Sequence, residues 1–247
     1  VVWRFPRNES IVSPRSHCPK CNQDLRWFHN IPLLSWLFLR GSCAHCKGKI
    51  PARYFFVELL TALLGLALFL RISHDRWDLL EPIPVLLPFL AYFAFICAIV
   101  AIAAIDFELT LIPDAITIPA TILGVLVAWL IPETGAYASL QPNITALDSI
   151  MGVVTGVGLL LVVFLGYRWV TGRIGLGGGD FTLLAMIGAF LGWQALPAVL
   201  FLASVQGLIF AVSLTLYERI NQKRASMLLR GVHRDEYWES HPVTGKG

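Results

Sequence analysis

Residues 83–105 read IPVLLPFLAYFAFICAIVAIAAI, twenty-three consecutive residues without a charged side chain. As a helix rising about 1.5 Å per residue, this run would reach roughly 35 Å, which exceeds a hydrocarbon core about 30 Å thick. A run of this length and composition predicts a transmembrane helix. The chain is therefore expected to be a membrane protein.

The rest of the sequence extends this pattern. Its 247 residues are 56% hydrophobic and 14% charged, with a mean hydropathy of +0.68, whereas soluble proteins carry about 25% charged residues. We predict an all-α polytopic bundle of about six spans over 54–217, from apolar runs at 54–70, 83–105, 111–131, 144–170, 181–193 and 196–217. The run at 181–193 is short for a bilayer, so its helix must begin in the Gly-rich segment before it or lie in a thinned, protein-lined region.

The placement of Lys and Arg predicts the orientation, because short loops rich in these residues stay in the cytoplasm. Residues 1–53 hold nine of the nineteen, and the segment 218–247 holds six. We therefore predict a cytoplasmic module at 1–53, a polar cytoplasmic tail at 218–247, and loops 107–110 and 172–180 on the same side. Loop 132–143 falls on the opposite side, as does loop 71–82, whose Arg71 and Arg76 run against the rule.

The net charge of +3 is small, and its basic part clusters beside the membrane. This placement favours anionic lipid as a partner over nucleic acid.

The first six residues are too short for the apolar part of a cleavable signal, and Arg4 interrupts them. We expect the sequence to begin inside a longer protein.

Two CxxC pairs, Cys18 with Cys21 and Cys43 with Cys46, stand twenty-one residues apart in the basic module. Four thiolates can close a tetrahedral zinc site, and a closed site is structural because it leaves no position for water or substrate. The alternatives are two disulfides or unrelated thiols, and a reducing cytoplasm disfavours the disulfides. The neighbouring residues His17 and His45 are not needed as ligands, and Cys97 is a lone residue of an apolar helix.

Ionisable residues in or beside membrane spans are costly and are therefore functional candidates. Asp106 ends the run 83–105, and Asp180 follows three glycines and opens the next run. Two carboxylates that share one proton across a water molecule can hydrolyse a peptide bond without a metal or a covalent nucleophile. The other candidates are Glu58, Asp114 and Asp148, with Glu108 in a nearby turn.

Each of these acids also has a structural interpretation. Asp180 and Asp114 could cap helix starts, and Asp148 could do so at the opposite membrane face. Glu58 could pair with a cation such as Arg53, or accept a proton in group transfer. We leave Glu58, Asp114 and Asp148 out of the catalytic pair.

Four segments, taken in order with the CxxC pairs, closely resemble the bacterial type IV prepilin peptidases, which are GxGD intramembrane aspartyl proteases. They are NIPLLSWLFLRGSCAHC at 30–46, RYFFVELLTA at 53–62, AIDFELTLIPDAIT at 104–117 and GLGGGDFTLLAMIGAFLGW at 175–193. The similarity covers about 1–217. Family members usually carry a further membrane helix before it and a Phe-Gly-Pro segment with a last helix after it, and neither occurs here.

The resemblance implies that Asp106 and Asp180 form the catalytic dyad and that Gly177 and Gly179 fill the motif's glycine positions. It implies cleavage of the short basic leader of prepilins or pseudopilins, in type IV pilus or type II secretion systems, at the cytoplasmic face of the bacterial inner membrane. It also implies N-methylation of the new amino terminus with S-adenosylmethionine as the donor. No residues for the donor and no oligomeric state can be assigned from the sequence.

Two other functions fit parts of the sequence. A proton-coupled transporter would also use membrane carboxylates and glycine-broken helices, but its acids should lie deep, and no inverted repeat is visible. A non-catalytic scaffold could use the zinc-ribbon-like module to bind partners of a pilus or secretion assembly. Such a scaffold would tolerate replacement of Asp106 or Asp180 by Asn.

Overall fold

A computed structural model describes residues 17–18, 20–73, 83–130, 144–173, 175 and 177–240. Within these ranges there is no strand, only two isolated antiparallel bridges. The helices are α1 (Leu34–Phe38), α2 (Ala52–Ser73), α3 (Ile83–Leu109), α4 (Asp114–Leu130), α5 (Ala146–Thr171), α6 (Gly178–Leu191) and α7 (Leu196–Ser240), with 3-10 turns at Trp27–Asn30 and Trp193–Ala195. The predicted all-α class is confirmed. The loop predicted at 132–143, most of loop 71–82 and the first sixteen residues lie outside the described ranges.

Each of the six predicted apolar runs forms a helix. Four segments are long and apolar enough to cross a membrane: Ala52–Ser73, Leu86–Leu109, Ala146–Thr171 and Trp193–Arg219. The other two helices, α4 and α6, are apolar but shorter. Helix α7 forms a separate unit that begins at Pro197, and its backbone stays helical through the polar sequence as far as Ser240. The chain is a multi-pass membrane protein.

Helix α6 is the most buried of the helices. It begins at Gly178, inside the Gly-rich segment, and six of its residues are buried: Leu184, Ala185, Met186, Gly188, Ala189 and Phe190. Its 14 residues reach only about 21 Å along the axis, but protein rather than lipid surrounds it. Both features predicted for this short run, a start among the glycines and a protein lining, are therefore present.

Glycines let α5 and α6 approach at backbone distance. A Cβ added to Gly152 would overlap the carbonyl oxygen of Gly188, and the reverse also holds. Beside this crossing, the Ser149 hydroxyl donates a 2.7 Å hydrogen bond to the Ala189 carbonyl. Small residues and interhelical hydrogen bonds of this kind stabilise helix pairs in lipid, where apolar contact alone gives no preference over the acyl chains.

Helices α3 and α6 run antiparallel against each other. Early in α3, the Tyr92 hydroxyl donates to the carbonyl of Phe190, near the end of α6, at 3.2 Å. Further along α3, Ile102 shares a buried cluster with Met186. This register directs the end of α3 toward the start of α6.

Helix α2 packs on α3. Ile72 contacts Phe89 and Tyr92, and Gly65 leaves room for the ring of Phe93.

Candidate active site and metal centre

The four cysteines of the CxxC pairs converge on one point. Their sulfur atoms all lie within 4.8 Å of one another, and Cys18 Sγ is 3.9 Å from Cys46 Sγ. A regular tetrahedron with zinc–sulfur bonds of about 2.3 Å has sulfur–sulfur edges of about 3.8 Å. Cys18 and Cys43 are buried, and none of the four forms a disulfide. The donor set fits a four-coordinate metal ion.

The two CxxC pairs are built as matching loops. Cys18 N–H donates to the Gln23 carbonyl at 3.0 Å, and Cys43 N–H donates to the Gly48 carbonyl at 2.9 Å. The residue after each second cysteine, Asn22 or Lys47, has a positive φ of 55° or 57°. Isolated bridges close both loops, His17 to Asp24 and Ser42 to Lys49. Each loop thus presents two sulfurs to one point, as the sequence predicted.

The ionisation of the first pair suits a metal site. Burial opposes ionisation of Cys18, but hydrogen bonds from the backbone of Lys20 and Cys21 lower its pKa to about 6. A backbone hydrogen bond at Gln23 favours the Cys21 thiolate, but burial and the sulfurs of Cys46 and Cys18 raise the pKa of Cys21 to about 11. At neutral pH, Cys18 is therefore mostly a thiolate and Cys21 mostly a thiol, and a metal ion that bound here would displace the proton of Cys21.

Glu58 joins the cysteine-bearing segment to α2. Its Oε2 accepts a 2.8 Å hydrogen bond from the N–H of Leu33, the residue before α1. One turn earlier on α2, the ring of Phe55 lies 4.9 Å from that of Trp36 in α1. The suggested pairing of Glu58 with Arg53 is wrong, because Arg53 reaches α3 and forms a 2.8 Å ion pair with Glu108.

Asp106 lies near the end of α3, and Asp180 lies at the start of α6, where Gly179 contacts Ile112 of the segment after α3. Asp106 lies one turn beyond Ile102, and Asp180 lies three residues before Leu183, which packs against the cluster of Ile102. Residues three or four apart share a helix face. Asp106 therefore shares a helix face with Ile102, and Asp180 shares one with Leu183. Asp106 is exposed and Asp180 half-buried.

The glycines before Asp180 have different roles. The Gly177 N–H donates to Asp180 Oδ2 at 3.0 Å, which holds the carboxylate at the first turn of α6. A Cβ on Gly179 would lie 2.6 Å from Ile112 Cβ, whereas a Cβ on Gly178 would meet open space. Of the two motif glycines, only Gly179 has a steric requirement, because the start of α6 contacts the segment that joins α3 to α4.

Asp114 forms a contact between helices at the same end of the bundle, and the sequence analysis did not predict this contact. Its Oδ1 accepts a 2.7 Å hydrogen bond from the Thr182 hydroxyl, and the Thr117 hydroxyl donates to Thr182 at 2.9 Å. Thr117 is fully buried. Asp114 does begin α4, as predicted, but it also joins α4 to α6 two residues after Asp180. The only signal in the sequence is a threonine shortly after GxGD.

Asp148 caps a helix at the other end of α6, as predicted. Its Oδ2 accepts hydrogen bonds from Thr145 N–H and Oγ1 at 3.1 and 2.7 Å. Gln194 donates to its second oxygen at 3.1 Å. These bonds account for the carboxylate without a catalytic role.

The chain matches two family profiles. Residues 1–72 match the bacterial peptidase A24 N-terminal domain, and residues 92–212 match the type IV leader peptidase family. The first match contains the four cysteines, and the second contains Asp106, Asp114 and Asp180. No solved structure matches the chain.

Similar proteins carry concordant names. The chain is 39% identical over 215 residues to the "Prepilin leader peptidase/N-methyltransferase" of Aeromonas salmonicida. The alignment covers 87% of this chain and 67% of that protein. A protein of the same name from Myxococcus xanthus is 37% identical over 87% of this chain and 58% of its own length. The "Type 4 prepilin-like proteins leader peptide-processing enzyme" of Escherichia coli O78:H11 is 36% identical over 86% of this chain and 78% of its own length.

Proposed function

This chain belongs to the type IV leader peptidase family, and we propose that it removes the leader peptide from prepilins or pseudopilins by water attack between Asp106 and Asp180. The observation that carries the proposal is the antiparallel register of α3 and α6. Tyr92 contacts Phe190 and Ile102 shares a cluster with Met186, and this order supports an approach of Asp106, one turn further along α3, to Asp180 at the start of α6.

The chemistry follows from one charged and one protonated carboxylate. The charged carboxylate takes a proton from a water molecule, whose oxygen attacks the carbonyl carbon of the scissile peptide. The protonated carboxylate donates a hydrogen bond to the carbonyl oxygen as charge develops there. The carbon–nitrogen bond then breaks, and the proton passes to the leaving amine, which becomes the new amino terminus.

The surrounding groups keep these two carboxylates in register. Gly177 fixes the Asp180 side chain, and Thr182 with Asp114 ties the start of α6 to α4. The ion pair of Arg53 with Glu108 joins the start of α2 to the end of α3. A misplacement of about 1 Å in such a site can cost on the order of 100-fold in rate.

The four-cysteine site would hold zinc in a structural role. Cys18, Cys21, Cys43 and Cys46 would supply all four ligands, and zinc bound in this way stabilises a small module that has little core of its own. The module's attachment to α2 through Glu58 places this site at the end of the helices that carries Asp106 and Asp180. We assign this end to the cytoplasm from the Lys and Arg of the module.

We also propose that the chain methylates the amino group released by cleavage, as the names of its relatives indicate. S-adenosylmethionine, when bound, would supply an electrophilic methyl group. No residue is assigned to the donor.

The experiment is a cleavage assay in inner-membrane vesicles that contain the full chain. The substrate is a prepilin with a basic leader, a glycine at the cut and an apolar helix beyond it. We expect mass spectrometry to find the leader and the shortened pilin, with a further gain of one methyl mass when donor is added. An uncleaved substrate would support the scaffold or transporter interpretation, and cleavage without mass gain would remove only the methyl proposal.

A further inference from the structure

Helix α1 presents an apolar face that the cysteine-bearing segment does not cover. Leu34, Leu37 and Phe38 are 50%, 54% and 83% exposed. They are spaced i, i+3 and i+4, so they share one face of α1. Trp36 lies on the other side, where its ring contacts Phe55 of α2 and fills the space beside Gly41. Three large apolar side chains in five residues are unusual for a segment that otherwise faces water.

The attachment of α1 fixes its height relative to the membrane. Its contacts on α2 are Phe55 and Glu58, three and six residues into a helix that begins at Ala52. These positions lie about 4.5 and 9 Å along the axis of α2. Helices that lie in the plane of a bilayer bury their apolar faces about 5–10 Å into the boundary between headgroups and acyl chains.

The start of α2 has the features of a membrane boundary. Arg53 lies over the ring of Tyr54 at 5.2 Å, and basic and aromatic residues of this kind are enriched where spans enter the headgroup region. Phe56 and Leu60, 63% and 49% exposed, begin the lipid-facing surface of the span at the same height as α1.

The charges around α1 favour a phospholipid surface. Arg40 follows the apolar face directly and is exposed, as are Lys47 and Lys49 in the second cysteine loop. Long basic side chains can lay their apolar stems along the acyl boundary and keep their charges among anionic headgroups.

We propose that α1 is an interfacial helix, with Leu34, Leu37 and Phe38 inserted into the phospholipid leaflet beside the start of α2. The cysteine-bearing segment is then held at the membrane by this face as well as by its covalent link and its side-chain contacts to α2. The proposal goes beyond peptide cleavage and does not depend on it.

The test uses the full chain in vesicles of phosphatidylglycerol and phosphatidylethanolamine, with the photoreactive residue p-benzoylphenylalanine at single positions. We expect phospholipid adducts when it replaces Phe38 or Leu37, at least fivefold above those at Gln23, an exposed residue of the first cysteine loop. Retention of the metal by each variant shows that the module is folded. Positions 37 and 38 lie on the same face, so both should give phospholipid adducts.

Equal lipid labelling at positions 38, 37 and 23 would overturn the proposal. So would adducts with a second copy of the chain or with a prepilin in place of lipid, because they would show that a protein covers the face.

Discussion

The Thr182 hydroxyl donates a 2.7 Å hydrogen bond to the carboxylate of Asp114. Asp114 begins α4, and Thr182 is the fifth residue of α6, two residues after Asp180. The bond therefore joins two helix starts at the end of the bundle where α3 finishes. It fixes Asp180 through the backbone of α6, so it is a positioning contact for the proposed dyad.

Replacing Thr182 by Val should lower prepilin cleavage about tenfold, because a hydrogen bond to a charged acceptor contributes about 1.5–3 kcal/mol. The rate of cleavage in membrane vesicles measures the effect. The matched control is Thr155→Val. In the described part of the chain, the Thr155 hydroxyl bonds to carbonyls of its own helix. Equal rates for Thr182→Val and the control would show that the bond does not position Asp180.

Gly179→Ala should abolish cleavage or nearly so, whereas Gly178→Ala should keep most of it. The first change forces a methyl group into Ile112, and the second places it in open space. Both replace glycine by alanine within one turn, so helix propensity cancels in the comparison. If both variants cleaved at the rate of the unchanged chain, the close contact of α6 with the segment at Ile112 would be unimportant for activity.

Metal affinity should fall as the pH drops, and it should fall more steeply below about 6. Cys18, whose pKa is about 6, is a thiolate above this pH, and protons compete with the metal for its sulfur below it. At pH 8, zinc binding should release fewer than four protons per ion, since Cys18 has already lost its own while Cys21, with a pKa of about 11, has not. Calorimetry in buffers of different ionisation enthalpy counts the protons. A metal affinity that stayed constant from pH 8 to pH 5 would argue against thiolate ligation, and Cys97→Ser should behave as the unchanged chain.

Glu58→Leu should detach α1 from α2, whereas Glu58→Gln should not, because the amide oxygen can still accept from the Leu33 N–H. We expect limited proteolysis to cleave the Leu variant between α1 and α2 about tenfold faster than the Gln variant, corresponding to a loss of roughly 1.4 kcal/mol. Faster cleavage of both variants to the same extent would indicate that the charge of Glu58, not its acceptor, matters.

The helices were predictable because apolar runs near 20 residues have few stable alternatives to a membrane span. Even α6 was predicted from its apolar run at 181–193, whose short length indicated a start among the glycines or a protein lining. The extension of α7 beyond residue 217 was not predicted, because the apolar run ends there and the sequence becomes polar. The polar part can still form a helix, since Arg, Lys, Ala and Leu have high helix propensity.

Within the site, local patterns predicted the cysteine loops and the cap at Asp148, whereas the dyad of Asp106 and Asp180 was implied by the family resemblance and stays a prediction. The hydrogen bond of Thr182 to Asp114 and the attachment of Glu58 to Leu33 depend on how distant segments pack, which the spacing of residues along the chain does not encode. Arg53 shows this clearly. It is close to Glu58 in sequence, but it pairs with Glu108 on another helix.

The central claim is that Asp106 and Asp180 act together on one water molecule. The most direct measurement is the single-turnover rate of prepilin cleavage in vesicles for Asp106→Asn and Asp180→Asn, each alone, with Asp148→Asn as the matched change at the other end of α6. We predict that each of the first two variants falls below one thousandth of the unchanged rate, on the order expected when a group essential to general acid–base catalysis is lost, while Asp148→Asn still cleaves. Cleavage at a normal rate by either Asp106→Asn or Asp180→Asn would contradict the account.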